Sequence, residues 1–508
     1  MGDWMNNGLL MGIDIGTGGC KVAVYNIDGK LVKECFKEYS IIHPRIDWAE
    51  QNPMDWWNAT IECIRNILKN IDPNNILSIS LTSQREAFVP IDRKNNILYN
   101  SIIWLDKRTI NLINKVKKKF SLDEILDITG VPIDYIYTLS KLLWLKYVKP
   151  NIFKKIFKII FPKDFITYML SGEIVTDYSM ASRTMMFNIN RLKWSEKICN
   201  EFDIPLSILP ELRGSWEIVG EVSREASKKT GLRKGIPIVA GGGDRPCEAL
   251  GSGTISEGEI NIGTGTGTDF EAPLSNPRPD KMGRVSTCVH VVPDTWEYEV
   301  IINATGGSLR WFRDNFCYEE VRESRIKNLS IYDLILRKAE KVPIGSENLF
   351  YYPYLWGARA PKFNPRAKGV FIGFTYAHTK SHFIRSILEG IGFQYIETLK
   401  LYESLGINIS RITMTGGEVR SSLWNSIKAN IIGMNINIPK IIDAACLGAA
   451  ILASIGVGIF SSFKDAVKSM VHIAETYVPD PEIRLKYAKI YRKYNKIYRV
   501  FEEVFNLL

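Results

Sequence analysis

The stretch LLMGIDIGTGGCKVAVY, residues 9–25, decides the fold prediction. Its apolar residues alternate around a glycine-rich segment at Gly16–Gly19, which predicts a strand, a tight turn and a second strand. Glycine allows positive φ angles and close approach of a ligand, and successive backbone N–H groups in such a turn bind anions. We therefore interpret this turn as a candidate phosphate site, with the hydroxyl of Thr17 as a further donor.

The same arrangement returns in the second half of the chain, which predicts a duplicated domain with a join near residue 251. The length of 508 residues supports two large domains, because single cores stop growing near about 250–300 residues. Three predicted strands enter glycine turns: Ile13–Ile15 before Gly16-Thr17-Gly18, Glu259–Ile262 before Gly263-Thr264-Gly265, and Ile412–Thr415 before Gly416-Gly417.

Two carboxylates lie at such turns and suggest phosphoryl transfer. Asp14 precedes the first turn, and Asp244 ends the run Gly241–Asp244 after a predicted strand. Phosphoryl transfer needs magnesium held by oxygen ligands and a group that accepts the proton of the nucleophile. A lone Asp more often caps a turn or a helix, but two of them beside three glycine turns favour the functional interpretation. The chain has no GxxxxGK[ST] run, and Gly263-x-Gly265 lacks the spacing of a dinucleotide site.

A third group of polar residues follows the predicted strand Ile76–Thr82. Gln84, Arg85 and Glu86 come directly after it, where α/β proteins place their sites, and Arg beside Glu offers donors and acceptors to vicinal hydroxyls. A second predicted strand, 97–104, leads to Trp104 and Asp106. A surface ion pair with a core tryptophan explains these residues equally well at this stage.

Composition excludes several classes of protein. The net charge is +10, but the basic residues are spread along the chain, which is typical of solvated helix faces and argues against a nucleic-acid partner. The eight cysteines form no CxxC pair, so a zinc site is not expected and reduced thiols are. Residues 1–10 lack the features of a signal peptide. We therefore expect a cytoplasmic protein that does not bind membranes.

Two C-terminal segments predict helices. Residues 444–460 are nearly uncharged but short and rich in Ala and Gly, which favours a buried helix over a membrane span. Residues 482–505 predict an amphipathic surface helix. Its expected apolar side chains are Leu485, Ile490, Tyr494 and Ile497.

Longer motifs in the chain resemble the FGGY carbohydrate kinases. The resemblance runs from about Leu9 to the C-terminal helix and implies an α/β fold of two actin-like (ribonuclease H-like) domains with an interdomain cleft, spanning residues 1–251 and 252–508. The motifs that carry it are GIDIGTGGCK at 12–21, WAEQNPMDWW at 48–57, KLLWL at 141–145, PKDFITYMLSGEIVTDYSMASRT at 162–184, GGGDRPCEALGSG at 241–253, YPYLWGARAP at 352–361, GVFIGFT at 369–375, TGGEVRSSLW at 415–424 and LGAAILASIGVGIF at 447–460.

The resemblance implies a role for each candidate residue and a need for ATP and Mg²⁺. Asp244 would be the general base, and Asp14 would help to place the magnesium. Gln84, Arg85, Glu86, Trp104 and Asp106 would bind the sugar, together with Asp244. The implied ATP-binding residues are Gly16, Thr17, Gly18 and Lys21 in the first domain, and Gly263, Thr264, Gly265, Gly416 and Gly417 in the second.

The resemblance implies a small sugar or polyol as the substrate, and the motifs leave its identity open. Gln84-Arg85-Glu86 resembles the glycerol kinases, yet Ile136 stands where those enzymes have a glycerol-contacting Tyr, and the second-domain segments resemble the xylulose kinases. We expect a pentulose such as xylulose, with glycerol as the alternative. A non-kinase actin-like ATPase module and an inactive sugar-binding regulator are the alternatives from other classes, and a homodimer is left open.

Overall fold

The computed structural model describes residues 8–507, which form two compact units. The first unit holds residues 8–256, 273–298 and 443–472, and the second holds 257–272, 299–442 and 473–507. Residues 1–7 of the first predicted domain, which include most of the segment judged against a signal peptide, and residue 508 of the second lie outside the described residues.

The strands alternate with helices along both units, as expected of an α/β protein. The first fourteen strands are β1 Leu9–Ile15, β2 Gly19–Asn26, β3 Leu31–Glu38, β4 Glu50–Gln51, β5 Ile76–Ser83, β6 Val89–Ile91, β7 Ser101–Ile102, β8 Lys158–Ile160, β9 Val175–Asp177, β10 Phe187–Asn188, β11 Lys193–Trp194, β12 Glu211–Arg213, β13 Ile218–Glu221 and β14 Pro237–Gly243. The others are β15 Glu259–Thr264, β16 Thr268–Leu274, β17 Ser286–Val289, β18 Trp296–Ile302, β19 Phe350–Tyr352, β20 Val370–Ile372, β21 Arg411–Gly416, β22 Ile436–Pro439 and β23 Ile473–Tyr477.

The α-helices differ in burial: those at Pro53–Leu68 and Leu122–Thr129 bury one apolar face, whereas the one at Thr138–Val148 is buried over most of its surface. They are α1 Pro53–Leu68, α2 Ile113–Lys119, α3 Leu122–Thr129, α4 Thr138–Val148, α5 Pro150–Phe153, α6 Pro162–Ser171, α7 Tyr178–Ser182, α8 Glu196–Glu201, α9 Arg224–Thr230, α10 Asp244–Gly251, α11 Thr305–Phe316, α12 Tyr318–Lys327, α13 Ile331–Glu340, α14 Lys380–Ser404, α15 Ser422–Ile432, α16 Ala445–Gly456, α17 Phe463–Met470 and α18 Pro481–Phe501. Short 3₁₀ turns lie at Pro73–Asn75, Ile110–Leu112, Leu206–Ile208, Ser346–Asn348, Gly417–Arg420 and Glu502–Asn506.

The main sheet of the first unit has the order β13-β14-β5-β1-β2-β3. Strands β1, β2 and β3 form an antiparallel meander, whereas β5 runs parallel to β1 and β14 runs parallel to β5. The carboxyl ends of β1, β5 and β14 therefore meet at one edge of the sheet, where ligands bind in open α/β sheets.

The other large sheet has the order β17-β18-β16-β15-β21-β22-β23, and its part from β18 to β23 repeats this topology. Strand β15 pairs antiparallel with β16 and parallel with β21, which is itself parallel to β22, and β23 closes the edge antiparallel to β22. The predicted duplication is thus present at the level of strand order as well as in the glycine turns.

Local signals explain where the main helices begin and end. Helix α1 starts at Pro53, and the side chain of Asn52 caps it by accepting from the N–H of Met54. Helix α6 ends at Gly172, which is in the left-handed conformation. Helices α10 and α16 can pack closely because Gly448 has no side chain. A Cβ at this position would lie 1.9 Å from the carbonyl oxygen of Cys247. Helix α10, which begins with Asp244, therefore lies directly against α16.

Two expectations about local structure are wrong. Residues 97–104 form no long strand: Ser101–Ile102 is a short strand that pairs with Glu50–Gln51, and Ile97 makes an isolated bridge with Ile91. In α18 the buried side chains are Tyr487, Tyr491, Tyr494 and Tyr498, of which only Tyr494 was expected. Of the other expected apolar side chains, Ile490 and Ile497 are half-buried and Leu485 is exposed.

The expectations for the buried helix and for the cysteines are confirmed. Helix α16, within 444–460, is buried over most of its length. All eight cysteines are free thiols. In the part of the chain from residue 8 to 507, no helix has the length and apolar character needed to cross a bilayer.

Candidate active site

The first glycine turn joins β1 to β2, and the hydroxyl of Thr17 in this turn forms hydrogen bonds with neighbouring polar residues. The N–H of Gly16 donates to the carbonyl of Gly19 at 3.0 Å, which closes the turn. Thr17 Oγ1 donates to Gln84 Oε1 at 3.1 Å and accepts from Trp104 Nε1 at 2.9 Å. Three predicted site residues from distant parts of the sequence therefore meet beside the turn.

Gln51 completes this polar cluster and was missed by sequence reasoning. Its Nε2 donates to the carbonyl of Thr17 at 2.7 Å, and its Oε1 accepts from Gln84 Nε2 at 2.7 Å. Gln51 lies in the motif WAEQNPMDWW, but nothing in its spacing indicated contact with the turn. Because the amide of Gln84 is engaged with Gln51 and Thr17, its position is set by the protein scaffold.

Asp14, near the end of β1, has a buried carboxylate. Its Oδ1 is buried and has no hydrogen-bond partner among residues 8–507. Burial raises the pKa of Asp14 well above its usual range, and the carboxylates of Asp443 and Asp244 raise it further. A nearby cation would relieve this repulsion and favour the ionised carboxylate.

Lys21 was predicted to bind ATP, and its side chain contacts two carboxylates. Its Nζ lies 2.6 Å from Asp443 Oδ2 and 2.8 Å from Glu34 Oε2. Burial lowers the pKa of Lys21, but these two carboxylates outweigh burial and raise the pKa above its usual value. Asp443, which sequence reasoning missed, therefore links Lys21 to the surroundings of Asp14. The role of Lys21 towards ATP stays a prediction.

Arg85 and Asp244 form an ion pair at the carboxyl edge of the first sheet. Arg85 Nε lies 3.1 Å from Asp244 Oδ1, and the Arg85 side chain is 4% exposed against 30% for Asp244. Arg85 follows β5, whereas Asp244 is the first residue of α10, directly after β14. Gly243 makes room for the arginine, because a Cβ there would lie 2.4 Å from Arg85 Cδ. The catalytic candidate is thus held by a predicted sugar-binding residue.

Glu86 adopts a backbone conformation that is costly for a residue with a side chain. Its φ is +64°, and its carbonyl accepts from Lys141 Nζ at 3.0 Å and from Thr138 Oγ1 at 3.1 Å. Its carboxylate pairs with Arg183, whose Nε lies 2.6 Å from Glu86 Oε1. Such strained residues concentrate at functional sites when the surroundings over-determine them.

Arg183 and Lys141 are two further residues that the sequence did not single out. The Arg183 guanidinium lies 5.0 Å from the centre of the Tyr137 ring. Lys141 is fully buried, and burial lowers its pKa to about 8. Both residues fall in segments that resemble the family, but their pairing with Glu86 depends on the tertiary fold.

Asp106 lies in a separate buried cluster. Its carboxylate contacts Arg108, with Nη2 to Oδ2 at 2.7 Å, and accepts from the N–H of Ala49 at 2.6 Å. Arg108 also pairs with Glu50 at 2.8 Å and covers the ring of Trp48 at 3.7 Å. The side chain of Asp106 is fully buried, so its described contacts are those of a scaffold residue; direct sugar binding by Asp106 stays a prediction.

In the second unit, the two predicted glycine turns lie side by side. Gly263 and Thr264 of β15 pair with Thr415 and Gly416 of β21. Thr264 Oγ1 donates to the carbonyl of Thr415 at 2.6 Å. Gly416 has φ +84°, and a Cβ there would lie 1.9 Å from the carbonyl oxygen of Thr264, so only glycine fits.

A buried ion pair supports these turns. Glu418 Oε2 lies 2.6 Å from Lys428 Nζ and accepts from Tyr395 OH at 3.0 Å. The N–H of Glu418 donates to Thr264 Oγ1 at 3.2 Å, which joins the pair to the first of the two turns. Burial lowers the pKa of Lys428, although Glu418 opposes that shift. Sequence reasoning missed both side chains.

The structure is an α/β fold of two units, and each unit has glycine turns at the ends of its central strands. Models of the FGGY family of carbohydrate kinases match the chain over residues 9–251 for the N-terminal domain and 259–457 for the C-terminal domain. The chain belongs to the FGGY family of carbohydrate kinases. It is a sugar kinase, which transfers a phosphoryl group to an alcohol group of a small sugar.

Curated relatives and solved structures agree with this assignment. The chain is 32% identical to a xylulose kinase of Bacillus subtilis over 95% of both chains. It is also 32% identical to a gluconokinase of the same organism, over 94% of this chain and 93% of the relative. The crystal structure of a ligand-bound xylulose kinase from Lactobacillus acidophilus superimposes with a TM-score of 0.89 at 26% identity, covering 98% of this chain and 99% of that one.

Proposed function

We propose that this protein transfers the γ-phosphoryl group of ATP to a hydroxyl of a pentulose such as xylulose. The observation that carries the chemistry is the Arg85–Asp244 pair, which holds a partly exposed carboxylate at the start of a helix and at the carboxyl edge of the sheet. The likeness to xylulose kinases supports the choice of sugar.

Asp244 acts as the general base in this proposal. It accepts the proton of the attacking sugar hydroxyl, while Arg85 fixes the direction in which the carboxylate points. Glu86 accepts hydrogen bonds from neighbouring hydroxyls, and Gln84 and Trp104 border the same position next to Thr17. A site of this kind rejects analogues that lack a hydroxyl, because its buried polar groups are then left unpaired.

The nucleotide contacts follow from the glycine turns of each unit. Gly16, Thr17 and Gly18 contact phosphates in the first unit, Gly263, Thr264 and Gly265 do so in the second, and Gly416 and Gly417 border the nucleoside. We keep the domain limits at 1–251, with the sugar site, and 252–508, with the adenosine site, and place the protein in the cytoplasm.

Mg²⁺ fits the surroundings of Asp14. Among residues 8–507 no group of three or more His, Cys, Asp or Glu side chains is arranged to hold a metal ion. Mg²⁺ usually keeps several waters and binds through one or two carboxylates and the phosphates of its nucleotide. The buried, unpartnered Oδ1 of Asp14 suits this mode. When bound, the ion would neutralise charge on the phosphates.

Gluconate is the second candidate substrate. The gluconokinase relative is as similar as the xylulose kinase, and Arg85 and Arg183 are buried guanidinium groups in the region assigned to the sugar. Guanidinium groups bind carboxylates in a bidentate manner, which suits a sugar acid.

A panel of acceptors tests the proposal. We expect ADP release with ATP and Mg²⁺ to be fastest with xylulose among xylulose, ribulose, gluconate, glycerol and erythritol. A preference for gluconate would favour the second candidate, and a preference for glycerol would favour the interpretation of Gln84-Arg85-Glu86 as a glycerol site. Equal slow rates with all five would contradict both.

A further inference from the structure

Strand β14 is irregular immediately before Asp244. Its register with β5 shifts between Val239 and Gly242, which makes a bulge. Gly241 at the bulge has φ +73°, and a Cβ there would lie 1.8 Å from the carbonyl oxygen of Leu81. Bulges often lie beside active sites, where they change the direction of a side chain. The contacts that hold this bulge in place therefore help to set the direction of the Asp244 side chain.

A buried lysine holds the backbone at the start of the bulge. Lys163 Nζ donates to the carbonyl of Ala240 at 3.0 Å and lies 3.0 Å from Asp177 Oδ1 and 2.5 Å from Asp164 Oδ1. The three charged side chains are almost completely buried. Burial opposes the charge on Lys163, but the two carboxylates outweigh it and raise the pKa of Lys163, so the ammonium group stays protonated.

The carboxylate of Asp177 is also linked to the end of β14, through Ser179. Ser179 Oγ donates to Asp177 Oδ2 at 2.5 Å and accepts from the N–H of Gly243 at 2.9 Å. The N–H of Ser179 also donates to Asp177 Oδ2, at 2.8 Å, because Asp177 caps α7. The carbonyl of Ala240 and the N–H of Gly243, which flank the bulge, are thus held by one connected network.

We propose that Lys163, Asp177 and Ser179 form a clamp that positions Asp244 for proton abstraction. The three are positioning residues: they act through the backbone of residues 240–243 and do not touch the sugar. This inference rests on the proposed function, in which Asp244 is the base. A base must lie about 2.6–3.2 Å from the proton-bearing atom. Displacement by about 1 Å costs on the order of 100-fold in rate.

Ser215 provides a matched control for a test of the clamp. Its hydroxyl donates to the same atom, Asp177 Oδ2, at 2.9 Å, and its side chain is equally buried. In the described part of the chain the Ser215 hydroxyl makes no hydrogen bond to β14; only its backbone carbonyl accepts from Gly241, and alanine keeps that contact. Ser179→Ala and Ser215→Ala therefore each remove one hydroxyl hydrogen bond to Asp177 Oδ2. Only Ser179→Ala also removes the acceptor of the Gly243 N–H.

The experiment measures kcat, the KM for ATP, the thermal midpoint and amide hydrogen exchange at Gly243 in wild type, Ser179→Ala and Ser215→Ala. We expect Ser179→Ala to lower kcat by about 10- to 100-fold, with little change in the KM for ATP and faster exchange at Gly243. Both variants should lower the thermal midpoint by similar amounts. Ser215→Ala should keep kcat and the exchange rate at Gly243 near their wild-type values.

Two results would overturn the clamp: an unchanged exchange rate at Gly243 in Ser179→Ala, or losses of kcat that are equal in the two variants. A wild-type protein that phosphorylates no sugar would refute the proposed function instead. In that case the exchange rates, which need no turnover, still decide whether Ser179 holds the strand that carries Asp244.

Discussion

Gly243→Ala is expected to lower the activity of the enzyme by displacing the side chain of Arg85. The backbone at Gly243 has φ −63° and ψ 157°, which alanine adopts without strain. The new Cβ would, however, lie 2.4 Å from Arg85 Cδ and 3.0 Å from Arg85 Cγ. Carbon atoms in contact stay about 3.5–4.0 Å apart. Arg85 must therefore withdraw by about 1 Å from its present place.

The size of the effect follows from the Arg85–Asp244 distance. Arg85 Nε lies 3.1 Å from Asp244 Oδ1. Withdrawal by about 1 Å takes this contact beyond the range of a hydrogen bond. Because the Arg85 side chain is buried, water does not readily replace the hydrogen bond that Arg85 loses. A misplacement of about 1 Å at a catalytic group costs on the order of 100-fold, so we expect kcat/KM to fall by about 10- to 100-fold, or about 1.4–2.7 kcal/mol.

A double-mutant cycle separates this cause from general damage to the fold. ADP-release rates and thermal midpoints are measured for wild type, Gly243→Ala, Arg85→Ala and the double variant. Since Arg85→Ala removes the atoms that the new methyl group meets, Gly243→Ala should cost almost nothing further in that background. The reasoning is refuted if Gly243→Ala keeps wild-type kcat/KM, or if it costs the same factor whether or not Arg85 is present.

Three further predictions follow from the same contacts. Glu86→Gln should raise the KM for the sugar about 10-fold or more and leave that for ATP nearly unchanged; equal shifts in both would count against a sugar contact. Asp14→Asn should raise the Mg²⁺ concentration needed for half-maximal rate, and an unchanged requirement would contradict its role. Burial lowers the pKa of Lys141 to about 8, so the unfolded chain binds the proton more tightly and stability rises between pH 8 and about 10.5. Relative to Lys141→Met, urea unfolding should show wild type gaining about 3 kcal/mol over this window; a constant difference would refute the shift.

Glycine turns and the residues at strand ends could be predicted from sequence because their signals are local. Strand β1, the turn at Gly16–Gly18 and the start of α10 at Asp244 each depend on a few adjacent residues. The pairing of Glu86 with Arg183 could not be predicted in this way, because nearly a hundred residues separate them and only the tertiary fold brings them together. The same is true of Ser179 and Gly243.

The two wrong expectations have a shared cause. An apolar residue in the sequence indicates that its side chain is buried, but it does not indicate the secondary structure of the segment or which face of a helix is buried. Ile102 and Ile103 are buried as predicted, but most of the segment before Trp104 is irregular. In α18, tyrosines at spacings of four, three and four residues form the buried stripe, because aromatic rings bury large areas and their hydroxyls find partners. Choosing Leu485 for its hydrophobicity overlooked this spacing.

The most direct test compares wild type with Asp244→Asn in the presence of ATP, Mg²⁺ and xylulose, with ADP and sugar phosphate measured together. Asparagine keeps the shape of the side chain but cannot accept the proton. We predict that wild type forms the two products in equal amounts and only when sugar is present, and that the variant loses at least about 10²–10⁴-fold in kcat while ATP binds nearly as before. Sugar-independent ADP release by wild type, or near-wild-type turnover by the variant, would contradict the account.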